Sequence, residues 1–226
     1  MKIALIGGHG KVALLATPLL AQAGHDVVSI IRNPAHVADV EKAGATAHVA
    51  DIESMDQHAW NELLSHDFDA VIWSAGAGGG SAERTWKVDF ESAKRSMVAA
   101  VRAEIKKYVM VSFIGSSLLH TVPENSSFWT YAQAKAEADA FLHGSGLNYL
   151  ILGPSTLTLD NPSERIDLVE HSAQKATNGT EQHGYTSRAN VARMIVAAVQ
   201  ASDEAYGKTY DFIDGSTPIA EVFARN

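Results

Sequence analysis

Two residues in the second half of the chain have the types and spacing required for proton transfer. The segment "YAQAK" places Tyr131 and Lys135 four positions apart in an alanine-rich run that favours a helix. Residues at i and i+4 share one helical face, so the phenol and the ammonium are expected to be neighbours. A nearby ammonium favours the phenolate and lowers a tyrosine pKa from its ordinary value of about 10. Such a pair can protonate a carbonyl oxygen or remove the proton of an alcohol.

A glycine-rich turn near the start of the chain has the pattern of a nucleotide-binding loop. The segment "KIALIGGHGKVA" follows an apolar run with closely spaced glycines and then with a helix-like run. Glycine permits the tight turn and lets the backbone approach a pyrophosphate, while the helix N-terminus offers free N–H groups. An ordinary strand–helix turn is the alternative, and the alternation of strands and helices around it favours the nucleotide. The predicted pyrophosphate cradle consists of Gly7, Gly8, His9, Gly10, Lys11 and Val12.

The elements that position these residues alternate between strand and helix along the whole chain. Several strands are apolar without period-two alternation, which is typical of a parallel sheet covered by helices on both faces. The pattern predicts an α/β fold with a doubly wound, mostly parallel, Rossmann-like sheet in a single domain of 226 residues. The segment 155–186 lacks clear periodicity, and we expect it to face the substrate. The predicted strands are "KIALIG", "HDVVSIIR", "ATAHVAD", "DAVIWSAG", "KKYVMVSFIG", "LNYLILGPS" and "KTYDFID".

The ends of the next strands indicate which dinucleotide binds. NAD sites place an acid after the second strand to hold the ribose 2′-hydroxyl, whereas this chain has Arg32 there. An arginine pairs well with a 2′-phosphate, so NADP (NADPH) is predicted over NAD. Asp51 and Ile52 follow the third strand, where the carboxylate would contact the adenine or serve only as a helix N-terminal acid. Ligands gather at strand ends in such sheets, so the end of the fourth strand is also predicted to contact the cofactor, through Ser74, Ala75 and Gly76.

These segments together resemble the short-chain dehydrogenase/reductase superfamily. The resemblance covers nearly the whole chain and rests on "GGHGKVA", "SAG", "VMVSFIGS", "YAQAK" and "LGPS". The short length and the phrases "TSRANVA" and "YDFIDGSTPIAE" are similar to the atypical branch, which includes NmrA-like members. The resemblance implies a compact NAD(P)-binding domain with a small C-terminal substrate cap, formed mainly by residues 155–187 and 214–226.

The resemblance also implies roles for individual residues. Tyr131 would be the proton donor, and Lys135 would tune the tyrosine and bind the cofactor ribose. A serine would hydrogen-bond the substrate oxygen. Ser112 is the candidate because it ends the fifth strand, although relatives often have two adjacent serines there, and Ser116 and Ser117 remain alternatives. The stretch that borders the nicotinamide in relatives corresponds to Gly153, Pro154 and Ser155.

The composition excludes several classes of function. The chain has a net charge of −8 and no concentrated basic cluster, so we expect no nucleic-acid partner. It has no cysteine and no apolar run long enough for a membrane span, which predicts a cytoplasmic protein without a membrane partner. Its ten histidines show no H-E-x-x-H pattern, so no metal site is predicted. A monomer and a homodimer are both compatible with the sequence.

The combined pattern predicts an NADP-dependent oxidoreductase. It would transfer a hydride to or from a small carbonyl, alcohol or conjugated substrate, with Tyr131 exchanging the proton. Two alternatives remain open: a non-catalytic NADP-sensing regulator of the NmrA-like kind, and an NAD(P)-dependent isomerase or epimerase. The paired Tyr131 and Lys135 argue against the sensor, and the short cap argues against an epimerase of sugar nucleotides. The sequence does not identify the substrate.

Overall fold

A computed structural model describes residues 1–78, 81–172 and 184–223. The strands are β1 Lys2–Ile6, β2 Asp26–Ile31, β3 Thr46–Val49, β4 Ala70–Trp73, β5 Lys107–Val111, β6 Tyr149–Pro154, β7 Thr156–Thr158, β8 Arg165–Val169, β9 Tyr185–Ser187, β10 Lys208–Asp214 and β11 Thr217–Pro218. The α-helices are α1 Lys11–Gln22, α2 Val37–Lys42, α3 Gln57–Leu64, α4 Ala82–Thr85, α5 Ala93–Arg102, α6 Trp129–His143, α7 Arg188–Gln200 and α8 Ile219–Val222.

The main sheet has nine strands in the order β11-β8-β10-β6-β5-β4-β1-β2-β3. Strands β1 to β6 and β10 pair in parallel, and β8 and β11 add antiparallel pairs at one edge. The strand order reverses between β1 and β4, which makes this the switch point where doubly wound sheets bind ligands. The predicted α/β class and the mostly parallel Rossmann-like sheet are therefore confirmed.

Helices cover both faces of this sheet, which explains the continuous apolar strands. In β1, Ile3 and Leu5 pack with α1, α2 and α7, whereas Ala4 and Ile6 pack with α3, α5 and α6. All four side chains are fully buried, and burial of one Ile or Leu contributes about 1.5–3 kcal/mol. The two apolar layers hold the strands so that β1 to β6 all end at the same edge of the sheet.

The C-terminal region contributes strands to both sheets, and the substrate cap expected there stays a prediction. β8, which lies within the segment 155–187, joins the main sheet through β10, and only β7 and β9 form a separate two-stranded sheet. The sequence pattern of this segment is irregular because β7, β8 and β9 have only 3, 5 and 3 residues. Residues 173–183 and 224–226 of the expected cap lie outside the described residues. In the described ranges, none of the helices combines the length and the apolar character needed to cross a bilayer.

The helical segment after β4 is divided by a π-helical turn. Residues Trp86–Ser92 form this turn between α4 and α5. A π-helical turn redirects side chains within a helix and is frequent at functional sites. Here it buries Asp89, which is 1% exposed, beneath the loop that follows β4.

Candidate active site

The glycine turn between β1 and α1 is wedged between two neighbouring strands. Gly7 has a φ of +80°, and a Cβ there would lie 2.7 Å from the Cα of Ala75. A Cβ on Gly8 would lie 2.4 Å from the Cβ of Ser29. The backbone N–H of Gly10 donates to the carbonyl of Gly7 at 2.8 Å and closes the turn. Glycine is therefore required by the positive φ and by the close approach of the backbone to β2 and β4.

The turn opens into a cavity at the carboxyl ends of β1 to β4. Its volume is about 260 Å³. Helix α1 begins at Lys11 without a side-chain cap, and the first N–H groups of a helix have no partner inside it. The bare helix terminus and the glycine cradle fit the pyrophosphate of a dinucleotide. The lining includes the predicted cofactor residues Gly7, His9, Gly10, Arg32, Asp51, Ile52, Ser74, Ala75 and Gly76.

Charged side chains surround the end of this cavity next to β2 and β3. Arg32 is 57% exposed in its side chain, and its Nη1 lies 3.7 Å from Glu53 Oε2. The same oxygen accepts from Arg84 Nε at 2.9 Å. Neither Glu53 nor Arg84 was predicted from the sequence. The acid of an NAD site usually follows β2, whereas Glu53 follows β3 and Arg84 lies in α4. The lining at this end of the cavity therefore contains the guanidinium groups of Arg32 and Arg84 and the carboxylates of Asp51 and Glu53.

His9 lies in the glycine turn, where it contacts the segment after β2. Its ring stacks on His36 with 3.6 Å between centroids, and its Nε2 lies 3.0 Å from Asp39 Oδ2. His36 also lines the cavity. These contacts join the turn to the Arg32 side of the site, so His9 contributes to the shape of the cavity.

The predicted tyrosine faces a second cavity, which we call the tyrosine chamber, with a volume of about 390 Å³. Tyr131 lies in the first turn of α6, half-buried, with its ring 5.5 Å from Phe113 and 5.3 Å from Phe128 between centroids. Its hydroxyl makes no hydrogen bond within the described part of the chain. Burial and the Asp89 and Asp139 carboxylates raise the pKa of Tyr131.

Lys135 lies one turn further along α6 but does not turn its ammonium to the tyrosine. The residue is 1% exposed, and its Nζ donates to the carbonyl of Val111 at 2.7 Å, with Met110 Sδ at 3.6 Å. The lowered Tyr131 pKa expected from the i,i+4 pair is therefore wrong for this geometry. Burial disfavours the phenolate of Tyr131, and the Lys135 ammonium donates to a carbonyl of β5 and not to the tyrosine. The proposed catalytic role of the pair stays a prediction.

The candidate serines bond a buried carboxylate. Ser112 Oγ donates to Asp139 Oδ2, and Ser116 Oγ donates to the same oxygen at 2.5 Å. Ser112 is 4% exposed and Asp139 is 4% exposed. Burial raises the pKa of Asp139, while Lys135 and the serine bonds oppose that rise. Thus both hydroxyls bond within the protein, and the substrate contact predicted for Ser112 stays a prediction.

The remaining predicted cofactor residues lie where β6 meets the small second sheet. Ser155 Oγ donates to the carbonyl of Gly184 at 2.8 Å, and its N–H donates to Thr186 Oγ1 at 3.1 Å. A Cβ on Gly153 would lie 2.0 Å from Asp211 Oδ1, so only glycine fits there. These contacts anchor β7 and β9 above the sheet. The predicted contact of Gly153, Pro154 and Ser155 with the nicotinamide stays a prediction.

Comparisons with known proteins agree with this geometry. Residues 7–202 match the model of a family described as NAD(P)H-binding. The chain is 29% identical over 227 residues to a protein of Bacillus subtilis named as an uncharacterized sugar epimerase, and the match covers 100% of both chains.

Two solved structures share the fold closely. A putative NAD-dependent epimerase/dehydratase from Bacillus halodurans has a TM-score of 0.87, 29% identity and coverage of 100% of both chains. An oxidoreductase from Lactococcus lactis has a TM-score of 0.82 and 26% identity, covering 99% of this chain and 95% of its own. The resemblance to atypical short-chain dehydrogenase/reductase proteins is confirmed.

Proposed function

Because the chain belongs to the NAD(P)H-binding family, we propose that it is an NADP-dependent oxidoreductase acting on a small carbonyl, alcohol or conjugated compound. The observation that carries this proposal is the Tyr131 hydroxyl. Tyr131 lines the tyrosine chamber, its hydroxyl has no hydrogen bond within the described part of the chain, and it lies one helical turn before the buried Lys135. The relatives named as an oxidoreductase and as epimerases also favour chemistry with a nicotinamide.

The preference for NADP is supported by the charges at the cavity end. A 2′-phosphate carries more negative charge than a hydroxyl and pairs with guanidinium groups. Arg32 lines the cavity with most of its side chain exposed, and Arg84 lies beside it. Glu53 opposes this preference because a carboxylate favours the ribose hydroxyls of NAD. Because Glu53 already accepts from Arg84 at 2.9 Å, the exposed guanidinium of Arg32 can pair with a 2′-phosphate, and we propose NADP.

The residues of the chain suit the reductive direction of the reaction. A bound reduced nicotinamide supplies the hydride, which adds to the carbonyl carbon of the substrate. Tyr131, kept neutral by its raised pKa, donates its phenolic proton to the carbonyl oxygen. The phenolate that remains takes a proton from water in the chamber. The role of Lys135 in tuning this proton transfer stays a prediction, because its Nζ donates to the carbonyl of Val111.

The test follows NADPH absorbance with a panel of carbonyl compounds and quinones. Tyr131→Phe removes the transferable proton and should lower kcat about 10²–10⁴-fold, the usual contribution of a general acid. Tyr149→Phe is the matched control, because the Tyr149 hydroxyl bonds the carbonyl of Gly207 away from the chamber. Full activity in Tyr131→Phe would refute the catalytic proposal.

The same assay separates the two alternatives. Saturable NADPH binding without oxidation on any substrate would support a sensor. An epimerase returns the hydride to its product, so it would show no net NADPH oxidation. It would instead exchange a substrate hydrogen or invert a stereocentre, which NMR detects.

A further inference from the structure

The tyrosine chamber has several polar side chains in its walls, although it lies beside an aromatic cluster. One side of Tyr131 packs on Phe113 and Phe128, while the other side faces the chamber. Besides the phenol, hydroxyl groups and one carboxylate line it, and the apolar contribution comes from small residues. The lining consists of Ala77, Gly78, Ala82, Thr85, Asp89, Ser126, Ser127, Thr130 and Tyr131.

Asp89 is the charged group of this chamber. It is 1% exposed, and its Oδ2 accepts from the N–H of Ala77 at 2.9 Å. That bond fixes the carboxylate against the loop that follows β4. Lys135 and Arg84 favour its ionised form, whereas burial opposes ionisation and raises its pKa. Because burial makes an ionised carboxylate costly, one more hydrogen-bond donor, supplied by a ligand beside Asp89, would be favourable.

The size of the chamber limits the ligand. Small-molecule sites usually range over about 300–1,000 Å³, and this chamber of about 390 Å³ is at the lower end. The hydroxyl side chains can donate or accept, but the carboxylate only accepts. A substrate group placed against Asp89 must therefore be a hydrogen-bond donor.

We propose that the tyrosine chamber is the substrate site, and that it takes a small carbonyl compound with a hydroxyl or amino group on the neighbouring carbon. The carbonyl oxygen accepts from Tyr131, and the hydroxyl or amino group donates to Asp89. This inference rests on the proposed oxidoreductase function and extends it from a reaction type to a substrate class. Nothing in the sequence pattern singles out Asp89, because the π-helical turn that aims it is not visible there.

Three ketones of equal size test the proposal. Aminoacetone, hydroxyacetone and butanone differ only in the substituent on the carbon next to the carbonyl, which is an ammonium, a hydroxyl or a methyl group. Because these groups also change the reactivity of the carbonyl, the informative quantity is how the ratios of kcat/KM change on mutation. Asp89→Asn keeps an oxygen that accepts from Ala77 but removes the charge. Glu91→Gln is the control, since Glu91 lies on the same π-helical turn and pairs with Arg95 outside the chamber.

Asp89→Asn is expected to lower the kcat/KM ratio of hydroxyacetone to butanone about tenfold, and that of aminoacetone to butanone by more. Glu91→Gln should leave both ratios unchanged. Oxidation of NADPH with all three ketones and unchanged ratios in Asp89→Asn would overturn the inference while the oxidoreductase function stands.

Binding gives an independent readout when no ketone is reduced. Quenching of the fluorescence of bound NADPH by aminoacetone, lost in Asp89→Asn, would support the chamber and refute the proposed reaction with these ketones. Neither reduction nor quenching by any of the three would overturn the inference. The Tyr131→Phe comparison with the wider carbonyl panel then decides the proposed function separately.

Discussion

Replacement of Gly7 by alanine tests whether the glycine turn depends on its close approach to Ala75, just after β4. Gly7 and Gly24 both have a φ of +80°, but only Gly7 has atoms near its absent Cβ. The two glycines therefore share the cost of the backbone conformation and differ in the cost of packing. Gly24→Ala is the matched control, because nothing lies within 4 Å of its new methyl group.

The expected losses of unfolding free energy follow from these two costs. A left-handed alanine costs about 1 kcal/mol after the reduced entropy of the unfolded chain is counted, which is the whole effect expected at Gly24. At Gly7 the methyl group would lie 2.7 Å from the Cα and 2.8 Å from the N of Ala75, both backbone atoms that cannot rotate away. Overpacking of this kind adds about 1–3 kcal/mol, so Gly7→Ala should lose about 2–4 kcal/mol.

Thermal unfolding and NADPH titration measure the difference. For a chain of this size 1 kcal/mol corresponds to about 2–4 °C, so Tm should fall about 2–4 °C in Gly24→Ala and about 5–15 °C in Gly7→Ala. NADPH binding should weaken only in Gly7→Ala, because the displaced turn no longer presents its N–H groups. Equal Tm losses in the two variants would show that the approach to Ala75 does not constrain the turn.

Three further predictions concern the charged groups of the site. Arg32→Ala should weaken NADPH about 10–100-fold and NADH much less; fluorescence titrations with equal losses would contradict the NADP preference. Asp139 has a raised pKa, so the native protein holds a proton that the unfolded chain has released, and stability falls as pH rises from about pH 4. The asparagine of Asp139→Asn cannot ionise, so the unfolding free energy measured in urea should depend less on pH in this variant. An unchanged pH dependence would refute the raised pKa of Asp139. Lys135→Met should lose about 3 kcal/mol, because it removes the positive charge beside Asp139 and Asp89; a loss below about 1 kcal/mol would contradict that balance.

The fold and the glycine turn between β1 and α1 were predictable because their causes are local. Apolar strands alternating with helices require a covered parallel sheet, and a glycine turn between β1 and α1 has few other uses. The serines show the limit of local patterns. Ser112 was correctly placed at the end of β5, but its hydroxyl partner is Asp139, which lies 27 residues away in the chain. Sequence spacing alone does not show whether such a hydroxyl bonds the substrate or another side chain of the protein.

Asp89 and Glu53 could not be predicted for a similar reason. Their positions depend on the π-helical turn and on the loop after β3, and both act on residues from other elements. Asp139 was within reach of a sequence argument, because Tyr131, Lys135 and Asp139 follow one another at intervals of four. Extension of the helical face by one more turn would have added the carboxylate to the tyrosine and the lysine.

The alanines of α6 explain how this charged face becomes buried. Ala132, Ala134, Ala136 and Ala138 are all 0–1% exposed. Side chains this small let the helix pack closely against its neighbours, which include the π-helical turn, α5 and β6. From this position the Lys135 ammonium donates to the carbonyl of Val111 at 2.7 Å. Larger apolar residues would move α6 outward and admit water around the lysine and both carboxylates. The alanine-rich run thus does more than favour a helix, because its small volume excludes water from the groups that set the proton affinity of Tyr131.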